Sequence, residues 1–179
     1  MDTNAVLETL QTLKLEGMAA AFEEMLAKTG SRNVDPVEWI KVMAASEDKA
    51  RAGRRFQSRL RAAKLRDTEA KIADIDYTTL RQLDRAKFEE LTKCDWIADH
   101  SSVLITGPCG VGKSYLACAL GHEACRQEKT VLYFRMPRLF QELETARTTE
   151  TYERLFKKII RADVLILDDW GPDLMTAGQ

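Results

Sequence analysis

Two short stretches hold the residues best suited to chemistry: Gly107-Pro-Cys-Gly-Val-Gly-Lys-Ser114 and Asp168-Asp169. The first fits G-x-x-x-x-G-K-[ST], a pattern whose chemistry is holding the phosphates of a nucleotide. Glycines at 107, 110 and 112 permit backbone conformations and close approaches that a Cβ forbids. The N–H groups from Gly107 through Pro108, Cys109, Gly110, Val111 and Gly112 can therefore turn inward on phosphate oxygens, proline alone lacking one. A helix starting near Lys113 adds its unpaired N–H groups and a partial charge of roughly +0.5. Lys113 supplies a full charge at the β/γ-phosphates, and the Ser114 hydroxyl is a ligand for Mg²⁺. An ordinary glycine-rich turn with a surface lysine is the plainer alternative. The acids of the second stretch argue against it, since Asp168 is suited to hold Mg²⁺ and Asp169 to orient or deprotonate an attacking water. Either motif alone is weak; together they point to Mg²⁺-bound ATP.

Such residues need strands and helices to bring them together. Val103-Leu-Ile-Thr106 reads as a short strand entering the glycine turn, and Lys113 to Gln127 as a helix with Leu116, Ala117, Leu120 and Ala124 inward. Thr130 to Arg135 is β-prone, with an apolar centre that predicts burial on both faces. Helices are expected from Pro137 through Leu139, Phe140 and Leu143, and from Tyr152 to Arg161. Val164-Leu-Ile-Leu167 is a strand delivering Asp168 to a sheet's carboxyl edge. Strands alternating with helices predict an α/β parallel sheet.

The preceding half is helical. Asn4 to Lys28 carries apolar residues at three- and four-residue spacing, with Gly17 dividing or bending it, and Thr29 to Asn33 is a turn. A second helix opens with Asp35 as N-cap, Pro36 at its first position and Glu38 at its third, and runs toward Arg66. Lys49 to Arg66 contains no acid. Its Arg51, Arg54, Arg55, Arg59 and Arg61 are candidates for DNA contact, because a cation stripe gives sequence-independent, salt-sensitive affinity for a phosphate backbone. The alternative is a solvated face whose charges meet acids such as Glu23, Glu24, Glu47 and Asp48. Asp67 to Ser102 is a mixed connector with helices near 84–92 and 94–99, either packing structurally or lying against the nucleotide's base.

Composition sets outer limits. The 179 residues, 45% hydrophobic and 31% charged with net charge −1, suit a soluble protein. No run of roughly 18 apolar residues is present to span a membrane, and Met-Asp-Thr-Asn shows no secretory pattern, so a cytoplasmic location is expected. The four cysteines lack C-x-x-C pairing and are expected reduced. Cys118 and Cys125 read as small buried helix residues. His100 and His122 fall at no ligand spacing.

These motifs resemble the IstB-like insertion-sequence helper ATPases, of the AAA+ class and related to bacterial helicase loaders. The resemblance rests on Leu13-Lys-Leu-Glu-Gly-Met18, Arg59-Leu-Arg-Ala-Ala63, Gly107 to Ser114 and Leu167-Asp-Asp-Trp-Gly171, and covers nearly the whole chain. It implies a helical N-terminal domain over 1–67, a connector over 68–101 and a partial AAA+ ATP-binding domain over 102–179. It also implies an oligomeric, ATP-hydrolysing assembly on DNA that helps a partner transposase. Lys113, Ser114 and Asp168 would carry nucleotide and Mg²⁺, with Asp169 in the water-activating place. Family members continue beyond the second motif, with a sensor residue, an arginine reaching a neighbour's γ-phosphate, and a strand between the phosphate-loop and Asp168 strands. The expectation is thus a truncated or frameshifted relative with a gap in its sheet. A helicase loader in replication and a non-hydrolysing DNA- or subunit-binding remnant are the rival expectations.

Overall fold

The computed structural model describes residues 2–29, 35–78 and 83–170. The expected turn at 29–33 falls, from residue 30 on, outside them, as does everything from residue 171. The chain divides into two compact units, Met1–Gln57 and Ser58–Gln179.

The first unit contains α1 (Thr3–Thr12), α2 (Glu16–Thr29) and most of α3 (Pro36–Ala63). Asp2 caps α1 by accepting from the Asn4 N–H at 3.1 Å. The α1/α2 break, expected at Gly17, instead falls at Leu13–Leu15, where Lys14 takes a left-handed φ of 57° and the Leu15 N–H closes on Leu10 O at 2.9 Å. Gly17 has a different role, inside the first turn of α2. A Cβ there would lie 2.6 Å from the Ser46 carbonyl oxygen and 2.7 Å from Glu47 Cα, so its hydrogen lets α2 and α3 touch backbone to backbone.

Glu47 uses that closeness. Only 6% exposed, its Oε2 accepts from the Gly17 N–H at 2.8 Å and the Met18 N–H at 3.3 Å, two of the orphan donors that open any helix. Its Oε1 accepts from Arg51 Nε at 2.8 Å and Arg54 Nη2 at 3.0 Å. The Arg51 hydrogen bond holds the Glu47 carboxyl below the ordinary range against the opposing desolvation, with Gly17, Met18 and Arg54 assisting. Phe22 and Trp39 meet edge to face at 5.6 Å. α3 begins as its punctuation predicts, with Pro36 in the first turn and Asp35 Oδ1 accepting from the Val37 N–H at 2.9 Å. It ends at Ala63, before Arg66, because Lys64 turns left-handed.

The second unit is built on a parallel pair, β1 (Val131–Arg135) and β2 (Val164–Asp168), aligned from Val131 opposite Val164 to Arg135 opposite Asp168. Thr130 pins the register: its N–H and hydroxyl both reach Asp163 Oδ2, at 2.7 and 2.6 Å. The crossover is α7 (Met136–Thr148) and α8 (Tyr152–Ile160). Leu132 and Phe134 face that layer, in a core with Met136, Leu139, Leu155 and Ile159. The opposite face takes α6 (Lys113–Arg126). There Gly121 approaches so closely that a Cβ would lie 2.8 Å from Ile166 Cδ1. Four of five β1 residues are buried, as its apolar run predicts. Cys118 and Cys125 are fully buried on α6, where desolvation pushes the Cys125 thiol up to about 11.

The connector forms a 3₁₀ turn (Ile72–Asp74), α4 (Arg85–Leu91), capped by Asp84, and α5 (Asp95–Ala98). The strand expected at Val103–Thr106 is a correction: among the described residues the sheet has two strands only, and Leu104 is 87% exposed. Apolar residues make a strand only where another strand completes the ladder and covers them, and no described segment pairs with this one.

Candidate functional site

Gly107 to Gly112 coil into the N-terminus of α6 in the way their glycines predict. Gly107, Gly110 and Gly112 have φ of 153°, 82° and 93°, conformations that side chains rarely adopt. Gly112 is the N-cap of α6. Lys113 folds back over the loop, its Nζ donating to the Gly107 and Pro108 carbonyl oxygens at 2.9 and 2.7 Å. The ammonium is thus held against the loop's own backbone. Cys109 is exposed at the loop.

Ser114, one residue further along α6, lies close enough to Asp168 for its hydroxyl to help hold that carboxyl ionised. The sequence-predicted hydroxyl and acid therefore meet, although 54 positions separate them in the chain. Asp168 stands at the carboxyl end of β2 with its side chain 14% exposed. Tyr133 Oη donates to its Oδ2 at 2.5 Å, the Asp169 N–H donates to its Oδ1 at 3.0 Å, and Arg66 Nη1 lies 3.8 Å from Oδ2. Desolvation pushes the Asp168 pKa up, but Tyr133, Ser114 and Asp169 with the Arg66 charge outweigh it, leaving it below the ordinary value. Burial, with the Asp168 bond and charge, pushes the Tyr133 phenol up and keeps it a donor.

Asp169 leaves the strand in a left-handed conformation, φ 55°, which aspartate tolerates better than most residues. Its Oδ2 is gripped by Arg135, at 2.6 Å from Nε and 2.5 Å from Nη2. Sequence reasoning missed Tyr133, Arg135 and Arg66. The available signal was alternation along β1, which puts Tyr133 and Arg135 on one face. Which acids that face meets depends on register, and no single strand encodes that.

The hydroxyl of Ser114 and the carboxylate of Asp168 are hard oxygen donors, and Asp168 is held ionised. Both fit Mg²⁺, which commonly takes one or two carboxylates and completes its shell with phosphate and water. No group of three His, Cys, Asp or Glu side chains suited to a metal occurs among the described residues, so Ser114 and Asp168 offer a partial shell. The connector touches the first turn of α6, where Tyr115 Oη bonds the backbone N–H and carbonyl of Lys71, each at 3.3 Å.

The cations singled out on α3 have mixed placements. Arg51 and Arg54 are engaged by Glu47, and Arg54 also by Glu16 at 3.0 Å. Arg59 lies 3.4 Å from Glu128, and Arg55 also makes an interaction. Arg61 is exposed. No helix among the described residues is long and apolar enough to cross a membrane.

A glycine loop opening a helix beside a parallel sheet, with a strand-end acid beside the loop's serine, defines a phosphate-loop protein. Within that class the chain belongs to the IstB-like ATP binding protein family, whose model matches residues 8–177. It is 46% identical, over 96% of its length and 69% of the relative's, to a protein of Sinorhizobium fredii named as an insertion sequence ATP-binding protein. It is 39% identical to the ATP-binding protein named for insertion sequence IS1162 of Pseudomonas fluorescens, across 96% of this chain and 74% of the other. A Mycobacterium tuberculosis protein named as ATP-binding in an insertion sequence is 30% identical, over 93% of this chain and 66% of its own.

Proposed function

We propose that this chain is an ATP-binding, DNA-associated helper of transposition, acting with a partner transposase as part of an oligomer in the cytoplasm. The observation that carries the nucleotide reading is the meeting of Ser114 with Asp168 beside Lys113 and the positive-φ glycines. The relatives' names carry the insertion-sequence half. In this reading residues 1–67 form a helical N-terminal domain with a basic patch, 68–101 the connector, and 102–179 part of an AAA+ ATP-binding domain.

Backbone N–H groups of the Gly107–Gly112 loop and of the first turn of α6 bind phosphate oxygens. Lys113 exchanges its two carbonyl contacts for the β/γ-phosphates, a charge-assisted replacement. Ser114 and Asp168 would hold Mg²⁺, whose charge would offset that of the phosphates during transfer to water. Asp169 then orients or deprotonates that water once Arg135 has released it.

Binding of a fluorescent ATP analogue, with and without Mg²⁺, tests this in wild type and Lys113→Ala. Expected is saturable binding in wild type, strengthened by Mg²⁺, and at least about a tenfold loss in the variant, equivalent to about 1.4 kcal/mol or more. Equal binding by the two proteins refutes the loop's assignment.

A further inference from the structure

The strongest unassigned feature is the outer face of α8. From Tyr152 to Arg161 the chain carries four cations and one acid, and Arg154, Lys157, Lys158 and Arg161 stand at i, i+3, i+4 and i+7, one helix face. All four are exposed. Leu155 and Ile159, on the opposite side, pack into the core around Leu132 and Phe134. The face is therefore fixed in direction by the burial behind it.

The cations of α3 and α8 differ in what they touch. Arg51, Arg54 and Arg59 already meet acids of this chain. Among the described residues, Lys157 pairs with Glu153 at 3.1 Å, whereas no acid stands within ion-pair distance of Arg154, Lys158 or Arg161. These three also line an open groove of about 690 Å³, together with Arg59 and the Lys157–Glu153 pair. Arg154 to Arg161 covers seven residues, about 10 Å along the helix, a reach equal to about three base-pair rises of roughly 3.4 Å along a duplex axis. An exposed ion pair contributes little, but a cation that gives up a carboxylate to reach a phosphate gains less than one held only by water.

We infer that the Arg154/Lys158/Arg161 face of α8, with the groove it borders, contacts the phosphate backbone of duplex DNA. The inference rests on the DNA-associated reading above and assigns it a surface apart from the phosphate loop. Contact is to the backbone alone, so it positions DNA without reading sequence.

The test is fluorescence anisotropy of a labelled mixed-sequence duplex, titrated with the full chain between about 50 and 200 mM salt. Proteins compared are wild type, the triple variant Arg154→Gln/Lys158→Gln/Arg161→Gln, and the charge-preserving Arg154→Lys/Arg161→Lys. The triple variant is expected to bind at least about tenfold more weakly, with the slope of log affinity against log salt reduced by about two to three, while the lysine variant stays near wild type. Fluorescent-ATP affinity and the circular-dichroism melt of the triple variant should match wild type, which separates loss of contact from loss of fold. Unchanged affinity and slope in the triple variant overturn this surface and leave the DNA reading standing. Wild type that binds no duplex overturns both.

Discussion

Tyr133 donates its phenolic proton to Asp168 Oδ2 at 2.5 Å across adjacent parallel strands. Tyr133 pairs with Ile166 in the register, so the bond reaches diagonally two residues ahead on the same face. Its consequence is that Asp168 is oriented from the sheet as well as from α6. Tyr133→Phe keeps the ring and removes one donor from an ionised acceptor, a loss of about 1–3 kcal/mol. The expected result is a lower melting temperature together with a higher Mg²⁺ concentration for half-maximal ATP binding. Affinity for ATP without Mg²⁺ should stay unchanged.

Arg135 and Asp169 form the second pair at this edge. While the guanidinium holds Oδ2, that carboxylate oxygen cannot also take a proton from water. Arg135→Gln frees the acid and leaves the phosphate loop untouched. Nucleotide affinity is expected to match wild type while ATP turnover changes, measured as phosphate release at saturating Mg²⁺-ATP. A parallel fall in affinity would move Arg135 from the acid to the nucleotide.

Two helical glycines should respond oppositely to alanine. At Gly121 a Cβ would stand 2.8 Å from Ile166 Cδ1 and 3.1 Å from Leu65 Cδ2, so side-chain ends must give way. Overpacking of this kind costs about 1–3 kcal/mol. Gly53 in α3 has nothing within 4 Å of the new atom, and alanine there should stabilise the helix by about 0.5–1 kcal/mol. Thermal melts of Gly121→Ala and Gly53→Ala should shift in opposite directions.

The Glu47 network gives the first unit an acid-sensitive contact. The folded carboxyl titrates below its ordinary value of 4.5, so the unfolded state binds the proton more readily. The contribution to stability is complete above about pH 4.5 and is lost as pH falls through the depressed folded value. Circular-dichroism melts between about pH 3 and pH 7 should show this fall. Glu47→Gln should flatten that dependence, starting from a lower melting temperature at neutral pH.

What the sequence revealed was mostly local. Gly107 to Ser114 and Val164 to Asp169 carry their geometry in consecutive residues, through glycine conformations, a helix start and an apolar run. Asp35 and Pro36 likewise mark the α3 start without outside help. The features that escaped are long-range. Gly17 looks like a helix breaker until Ser46 and Glu47 are known to lie against it, and the break is then free to fall at Lys14. Glu47 appeared as one of several acids near a basic run, yet its 30-residue reach to Gly17 makes it an interior cap. Val103–Thr106 has a strand's composition without a strand's pairing. Ladder partners are a property of the assembled sheet, so no inspection of those four residues alone reveals that.

Cys109 offers a chemical readout of the phosphate loop. It is the exposed one of four free thiols; Cys94, Cys118 and Cys125 are buried. Desolvation raises the pKa of each of those three, and the thiolate is the species that alkylates. One equivalent of a maleimide should therefore label Cys109 rapidly and the others only on unfolding. Because Cys109 sits among the backbone N–H groups assigned to phosphate, Mg²⁺-ATP should slow its labelling severalfold in wild type. Lys113→Ala should label at the same rate with or without nucleotide. Peptide mapping by mass spectrometry identifies the modified residue. Protection at Cys109 that survives in Lys113→Ala would mean that ATP covers the loop without using its lysine, and the roles assigned to Lys113 and the loop backbone would have to be separated.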